Sequence, residues 1–338
     1  MGTLLKRHRG LIPFLLLAPG VLWLLVFYAY PAVQMFISSF WSGTLETGFS
    51  FSLDNWTTYP AAIERYSEQF GRSVAFAGAA TILAFLVGFP LAYAIAFRGG
   101  RYKALLLFLV IAPFFTSFLL RTFSWKIILG DDGMVIGPLK EIGLVDSGFR
   151  VLATPIAVVS GITYNFLPFM TLPMYVALEK LDKRLIEAAQ DLYAGPWRPG
   201  GTIAGALFGA GTFALLAAIF GFDVLVMALA GGVVGGIVGT LFLSEAFVRV
   251  TLPLALPGVF AGTLLTFIPA MGDYVNAALL GNPSTNMIGN VIQSRFLTNA
   301  DYPTAAALSF ILMAAILVAV AAYARLLGTE SLTTGRGV

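Results

Sequence analysis

Six side chains with chemistry to offer lie within or at the ends of long apolar runs: Arg121 and Trp125, Tyr164 and Asn165, Asp273 and Tyr274. A polar group is costly in hydrocarbon, so such residues face a bundle interior or a cavity and are candidates for a solute path. A carboxylate at Asp273 beside aromatic rings suits a cationic amine through charge pairing and cation–π contact, whereas Arg121 would repel one. Asp273 also falls close to the end of its apolar run, where an ordinary solvated helix terminus is the competing reading. Covalent chemistry is poorly supplied. The chain has no cysteine and only one histidine, His8, in a basic tail. It contains no H-E-x-x-H, G-x-S-x-G or G-x-x-x-x-G-K-[ST]. Thiolate and metal-centred catalysis, Cys/His nucleophiles and ATP binding by a P-loop are therefore excluded, and no cofactor or metal is expected.

The elements that must position these residues are membrane spans. Of 338 residues, 58% are apolar and 11% are charged, against about 25% charged in a soluble domain. Apolar windows fall near 12–36, 73–97, 104–128, 152–177, 203–222, 224–243, 251–271 and 302–326, each near the roughly 20 residues that cross a bilayer core. Lys6-Arg7-His8-Arg9 precedes an apolar run that continues to Phe40 without a small-residue cleavage site, so it reads as a retained first span. With a cytoplasmic N-terminus, the inner segments hold Lys6, Arg7, Arg9, Arg98, Arg101, Lys103, Lys180, Lys183, Arg184, Arg198, Arg249, Arg325 and Arg336. The outer loops hold Arg65, Arg72, Lys140, Arg150 and Arg295. Thirteen against five obeys the positive-inside rule, with both termini cytoplasmic. The net charge is only +3 and the basic residues are scattered, so there is no footprint for nucleic acid.

The outer loops are the longer ones. Trp41, Trp56 and Tyr59 lie in or beside the first, where they would either anchor at lipid headgroups or form a buried cap. On the cytoplasmic side, Leu178–Leu192 is charged and helix-forming, with Leu178, Leu181, Leu185, Ala188, Ala189 and Leu192 at three- and four-residue spacing. That stripe fits docking on a protein surface or lying in the bilayer interface, while Lys180, Lys183, Arg184 and Glu187 stay solvated.

Glu187-Ala188-Ala189, with Asp191 and Leu192 following and Leu252-Pro253 later, resembles the E-A-A signature of importer-type ABC permeases. Tyr30-Pro31, Leu53-Asp54-Asn55-Trp56, Pro90-Leu91-Ala92-Tyr93, Ala112-Pro113-Phe114-Phe115, Arg121-Thr122-Phe123-Ser124-Trp125, Leu167-Pro168-Phe169 and Met287-Ile288-Gly289-Asn290 extend the likeness. In this order they are most similar to permeases of the spermidine/putrescine branch. Two departures are present. Tyr193 stands where the signature has glycine, and Pro253 lies 66 residues after Glu187 where the family spacing is 19, a surplus of 47. Resuming the signature at Glu245 assigns the surplus to Arg198–Ser244, apolar from about Thr202 to Leu243 and long enough for two spans. Gly201, Gly205 and Gly209, then Gly231, Gly235 and Gly239, give both spans small-residue faces for packing or for docking another subunit.

The expected fold is therefore all-α: a six-helix importer permease core, 1–197 and 245–338, with an inserted transmembrane hairpin at 198–244, forming one domain. The resemblance implies a multi-pass protein of the bacterial cytoplasmic membrane. Its implied partners are a dimeric ATP-binding subunit, a second related permease and an extracytoplasmic solute-binding protein. Glu187, Ala188, Ala189, Asp191, Leu192, Leu252 and Pro253 would couple to the ATPase, and the solute would be a polyamine. Trp125, Tyr164, Asn165, Asp273 and Tyr274 are the candidate solute path. Pro168, Pro173, Pro253, Pro257 and Pro269 in or beside the fourth and fifth core spans would be hinges or ordinary membrane-helix kinks. The competing functions are an ion-gradient-driven secondary transporter, which needs midplane ionisable groups and an inverted repeat, and an ABC permease for another small solute.

Overall fold

The computed structural model describes residues 12–143, 146, 148–192, 210, 211, 232 and 247–326. The proposed insertion, 198–244, lies outside the described residues except for three isolated positions. The described chain is an all-α polytopic membrane protein with one short β-hairpin. Five helical stretches are long and apolar enough to cross a membrane: Leu16–Ser38, Leu53–Arg98, Pro155–Glu179, Arg249–Met271 and Tyr302–Arg325. Gly100–Phe115 and Phe118–Ile128 make a sixth if taken as one broken span.

The chain divides into two compact units, each described here by itself. The first comprises Met1–Glu68 and Val291–Ala315. Helix α1 (Ile12–Leu24) leads through a π turn, Leu25–Ala29, into α2 (Tyr30–Ser38). Pro31 cannot donate a backbone hydrogen bond, and the wider turn immediately before it absorbs the irregularity, with the Tyr30 N–H bonding to the Leu25 carbonyl. Strands β1 (Trp41–Thr44) and β2 (Gly48–Phe51) then pair antiparallel, Trp41 opposite Phe51 and Thr44 opposite Gly48. Gly43 has φ +115°, and a β-carbon there would meet the Gly48 carbonyl, so the hairpin requires glycine at that position. Trp41 stacks on Phe49 at 5.5 Å, and the Tyr59 hydroxyl bonds Ser39 Oγ at 2.7 Å. Trp41 and Tyr59 are half-buried in these contacts, whereas Trp56 is 61% exposed.

The second unit comprises Gln69–Asn290 and Ile316–Val338. It receives most of the long helix α3 (Thr58–Tyr93), and then α4 (Lys103–Ile111), α5 (Phe118–Ile128), α6 (Ile136–Glu141), α7 (Pro155–Glu179) and α8 (Lys183–Leu192). Further along come α9 (Leu252–Met271), α10 (Val275–Leu280) and α11 (Ile288–Gln293), and α12 (Tyr302–Leu326) is shared, its part up to Ala315 belonging to the first unit. The window 104–128 is not one straight span: α4 and α5 are bent by 94°. Pro113 lies in a 3₁₀ turn, Ala112–Phe115, and Thr116 and Ser117 are extended (ψ 152° and 138°), so the helical hydrogen-bond ladder stops between the limbs. Helices α7 and α9 run through their internal prolines, Pro168 and Pro173, Pro257 and Pro269.

The core of this unit is where α3, α7 and α9 meet. Ala84, Phe89, Ala92, Ala96, Met170, Met174, Leu178 and Ala255 form one buried cluster, flanked by Tyr93, Phe97 and Leu252. Hydrocarbon solvates apolar side chains about as well as a protein core does, so close packing and not water exclusion must hold these helices together. Gly88, Gly258 and Gly262 serve that end by letting α7 approach. A β-carbon on Gly258 would lie 2.5 Å from Ala177 Cβ and 2.7 Å from the Pro173 carbonyl. At the end of α7 that leads into α8, Lys103 Nζ bonds both Glu179 oxygens (2.8 and 2.6 Å), a partly exposed pair of small energetic value.

Candidate functional site

The charged loop does not form one helix from Leu178. The chain breaks at Lys180–Asp182, and α8 begins at Lys183. Asp182 makes the new start: its carboxylate accepts the Arg184 N–H at 2.9 Å and its carbonyl accepts the Leu185 N–H at 3.0 Å. Leu178 therefore belongs to α7 and is fully buried in the core. On α8, Ile186 and Ala189 are buried, whereas Arg184, Leu185, Glu187, Ala188 and Asp191 are exposed. The apolar stripe foreseen from spacing is thus split. Ile186 and Ala189 face this chain, and Leu185 with Ala188, one turn apart, forms an exposed apolar strip bordered by Arg184, Glu187 and Asp191. Leu192 closes the helix.

Helix α8 contacts the π turn Phe247–Thr251, which runs directly into Leu252 and Pro253 at the start of α9. Helix α8 and the start of α9 are therefore close in space although 66 residues separate Glu187 from Pro253. Leu252 packs against the α3/α7/α9 cluster, giving α8 a short route into the helix core.

The second site is a buried polar cluster where α5, α7 and α10 meet. Asn165 Nδ2 donates to Thr122 Oγ1 at 3.3 Å and to Asn276 Oδ1 at 3.2 Å. Thr122 Oγ1 also donates to Asn276 Oδ1 at 3.4 Å. Asn276 Nδ2 in turn donates to Asp273 Oδ2, while Asp273 Oδ1 accepts the backbone N–H groups of Val275 and Asn276, both at 3.0 Å. Thr122 and Asn276 are fully buried, and Asn165 and Asp273 nearly so. Asp273 is therefore no solvated helix end. The chain stops being helical after Met271, and Asp273 occupies the break, capping α10 from within the fold. Burial raises the Asp273 carboxyl above the ordinary range, opposed by the hydrogen bonds from Asn276 and Val275. Asn165 Oδ1 has no partner.

Of the residues expected on a solute path, the structure brings Asn165 and Asp273 into this cluster. Trp125 and Tyr164 lie beside it on α5 and α7, with ring centroids 5.5 Å apart. Tyr274 does not join; its side chain is 44% exposed and its carbonyl accepts from Asn290 Nδ2 at 2.8 Å. Arg121 is buried (7% exposed) with its guanidinium 5.3 and 5.8 Å from the Phe114 and Phe118 ring centroids, and its Nε is without a hydrogen-bond partner. Sequence reasoning missed Thr122, Asn276 and Gly161. Asn276 lies three residues after Asp273, the capping distance, which was the available signal. Gly161 is needed because a β-carbon there would meet Leu280 Cδ1 at 2.4 Å and Asn276 Oδ1 at 2.7 Å. Among the described residues no three His, Cys, Asp or Glu side chains converge on a possible metal position.

Comparison with known proteins places the chain in a family. Residues 243–327 match the model of the binding-protein-dependent transport system inner membrane component. The spermidine/putrescine transport system permease protein PotB of Haemophilus influenzae is 34% identical over 289 residues, covering 85% of this chain and 84% of that one. PotB of Escherichia coli is 32% identical over 293 residues, covering 86% and 88%. In structure, the chain resembles a subunit of a bacterial ABC transporter involved in the import of the acidic polysaccharide alginate, with TM-score 0.61, 17% identity and 96% of each chain covered. At that identity the likeness speaks for the fold.

Proposed function

Because this chain belongs to the binding-protein-dependent transport system inner membrane components, the permeases of ABC importers, we propose that its solute is a polyamine such as spermidine or putrescine. The membrane assignment and the absence of a P-loop make it a transport subunit driven by ATP hydrolysis elsewhere. The observation that carries the solute reading is Asp273. It is a buried carboxylate held by amide N–H groups, with no cationic side chain bonded to it among the described residues, and it is joined through Asn276 to Asn165, the chain neighbour of Tyr164, whose ring meets that of Trp125. An ammonium beside such a group would supply both an N–H donor and the compensating charge that burial withholds. The similarity to permeases named for spermidine and putrescine supports the same solute class.

The complex would comprise this chain, a second related permease, a pair of ATPase subunits and an extracytoplasmic binding protein, in the bacterial cytoplasmic membrane with both termini inside. Helix α8, with Glu187, Ala188, Ala189, Asp191 and Leu192, would dock on the ATPase, and Leu252 and Pro253 would pass its motion to α9. The test of the solute is uptake of labelled spermidine by the assembled complex in proteoliposomes. Asp273→Asn is expected to lower that uptake at least about tenfold, since it removes the charge and sets an amide donor against Asn276 Nδ2. Uptake equal to that of the unaltered complex would remove Asp273 from the path.

Arg121 is the specific observation favouring a different small solute, because a buried cation opposes a polyamine. Competition settles the choice: excess unlabelled spermidine must abolish uptake of the label, and an anionic competitor must not. For the segment 198–244 we favour a packing hairpin added to an intact core. Joining Arg198's predecessor, Trp197, to Glu245 is then expected to leave solute-stimulated ATP hydrolysis within about twofold of the full chain. Its loss in a correctly inserted complex would show that the insertion takes part in coupling.

A further inference from the structure

Asn276 is the one side chain that touches every other member of the buried cluster. Its Oδ1 accepts from α5 (Thr122) and from α7 (Asn165), and its Nδ2 donates to Asp273 at the break before α10. The rest of this region is tied down independently. The Ala153 N–H bonds the Leu280 carbonyl at 2.8 Å, Asn282 Nδ2 bonds the Ala153 carbonyl at 2.6 Å, and the Ile288 N–H bonds Ser73 Oγ at 2.8 Å. Helix α10 lies against α5 and α7 at the end of the unit that the charge bias assigns to the outside, and Asn276 makes the side-chain hydrogen bonds across that contact.

We infer that Asn276 is the latch of an outer gate, and that its carboxamide holds Asp273 by supplying the same N–H donor that a solute ammonium brings. When α10 moves away from α5 and α7, the bonds from Thr122 and Asn165 to Asn276 Oδ1 break, and the freed carboxamide turns its Nδ2 off Asp273, leaving that carboxylate an open acceptor position. An ammonium group fits that position, because it donates N–H and cancels the charge. Asn165 Oδ1, buried and unpartnered in the closed arrangement, is a second acceptor that the same opening offers. Closure after passage restores the amide bond, so the gate competes with the solute for one carboxylate. No proton or covalent bond is exchanged; only hydrogen-bond donors swap. The exchange rests on the cationic-solute reading above, whereas the latch does not.

The absence of cysteine makes the latch directly testable in the assembled complex. With Asn165→Cys and Asn276→Cys joined by a short thiol-specific cleavable linker, ATP hydrolysis stimulated by the binding protein is expected to fall at least about tenfold and to recover on cleavage. Full cross-linking without inhibition would mean that α7 and α10 never separate, and would overturn the latch. This readout is independent of which solute is carried. The exchange is read by Asn276→Ala: removal of the internal competitor is expected to lower the KM for spermidine uptake about three- to tenfold without raising kcat. A merely structural role would not tighten KM. An unchanged or raised KM overturns the exchange, and absence of spermidine uptake in the unaltered complex overturns the solute reading while leaving the cross-link result to decide the latch.

Discussion

Replacing Gly258 with valine should separate α7 from α9 and leave the permease unable to assemble. The β-carbon alone would stand 2.5 Å from Ala177 Cβ, 2.7 Å from the Pro173 carbonyl and 3.1 Å from Met174 Cα. Two of these neighbours are backbone atoms, which cannot swing aside as a flexible side chain does, so the helices must move apart along their principal contact. One turn on, Gly262 repeats the approach, 2.9 Å from the Met170 carbonyl, so a shift at Gly258 opens both contacts. Overpacking of this kind costs about 1–3 kcal/mol in soluble cores. Here the upper end applies, because in hydrocarbon close packing is the main attraction between helices and no hydrophobic term compensates for its loss. Gly258→Ala adds only the β-carbon and should give a partial defect. The measurement is thermal stability of the purified complex in detergent, together with the yield of intact complex after size exclusion. An assembled Gly258→Val complex with unaltered stability would show that α7 and α9 have slack that the structure does not display.

The glycine pair shows what the sequence could convey and where it stopped. Gly258 and Gly262 have the four-residue spacing that reads as a small-residue interface, the same spacing noted at Gly201, Gly205 and Gly209. The spacing says that a close contact is possible; which helix fills it depends on tertiary placement. The spans among the described residues were legible because hydrophobic runs of bilayer length are a property of the local chain. The bend between α4 and α5 was half-legible: Pro113 marked it, but a proline kinks a helix without specifying 94°. The stripe on α8 failed differently. Three- and four-residue periodicity identifies an apolar face, and it cannot say that one helix ends at Glu179 and Asp182 starts another, leaving Leu178 outside the stripe and turning Ile186 inward. At Asp273 the local sequence pointed first to a helix boundary and only second to a site. The distinction rests on Asn165 and Thr122, which lie 108 and 151 positions away in the chain and are joined to it through Asn276.

Ala188→Glu should abolish solute uptake while leaving the permease folded, and it is the most discriminating test of the α8 docking surface. Ala188 is exposed and points away from the buried pair Ile186 and Ala189, so a larger polar side chain there meets only solvent in the isolated chain. Helix propensity changes little between alanine and glutamate. In an assembled complex the same side chain would place a charge and four more heavy side-chain atoms in the apolar strip formed with Leu185, beside the acidic Glu187 and Asp191. Burying that charge unpaired against a partner costs several kcal/mol, equivalent to at least about a hundredfold loss of ATPase association at 1.4 kcal/mol per tenfold. Ala189→Glu provides the contrast. Ala189 is buried within this chain, so glutamate there should disturb α8 against the π turn before Leu252 and lower stability as well as coupling. Copurification with the ATPase separates the two: Ala188→Glu should yield stable permease without ATPase, and Ala189→Glu should yield little stable permease at all. ATPase retained in full by Ala188→Glu would mean that the strip of Leu185 and Ala188 is not where mechanical work enters, and the path from α8 through Leu252 to the helix core would then lack its first link.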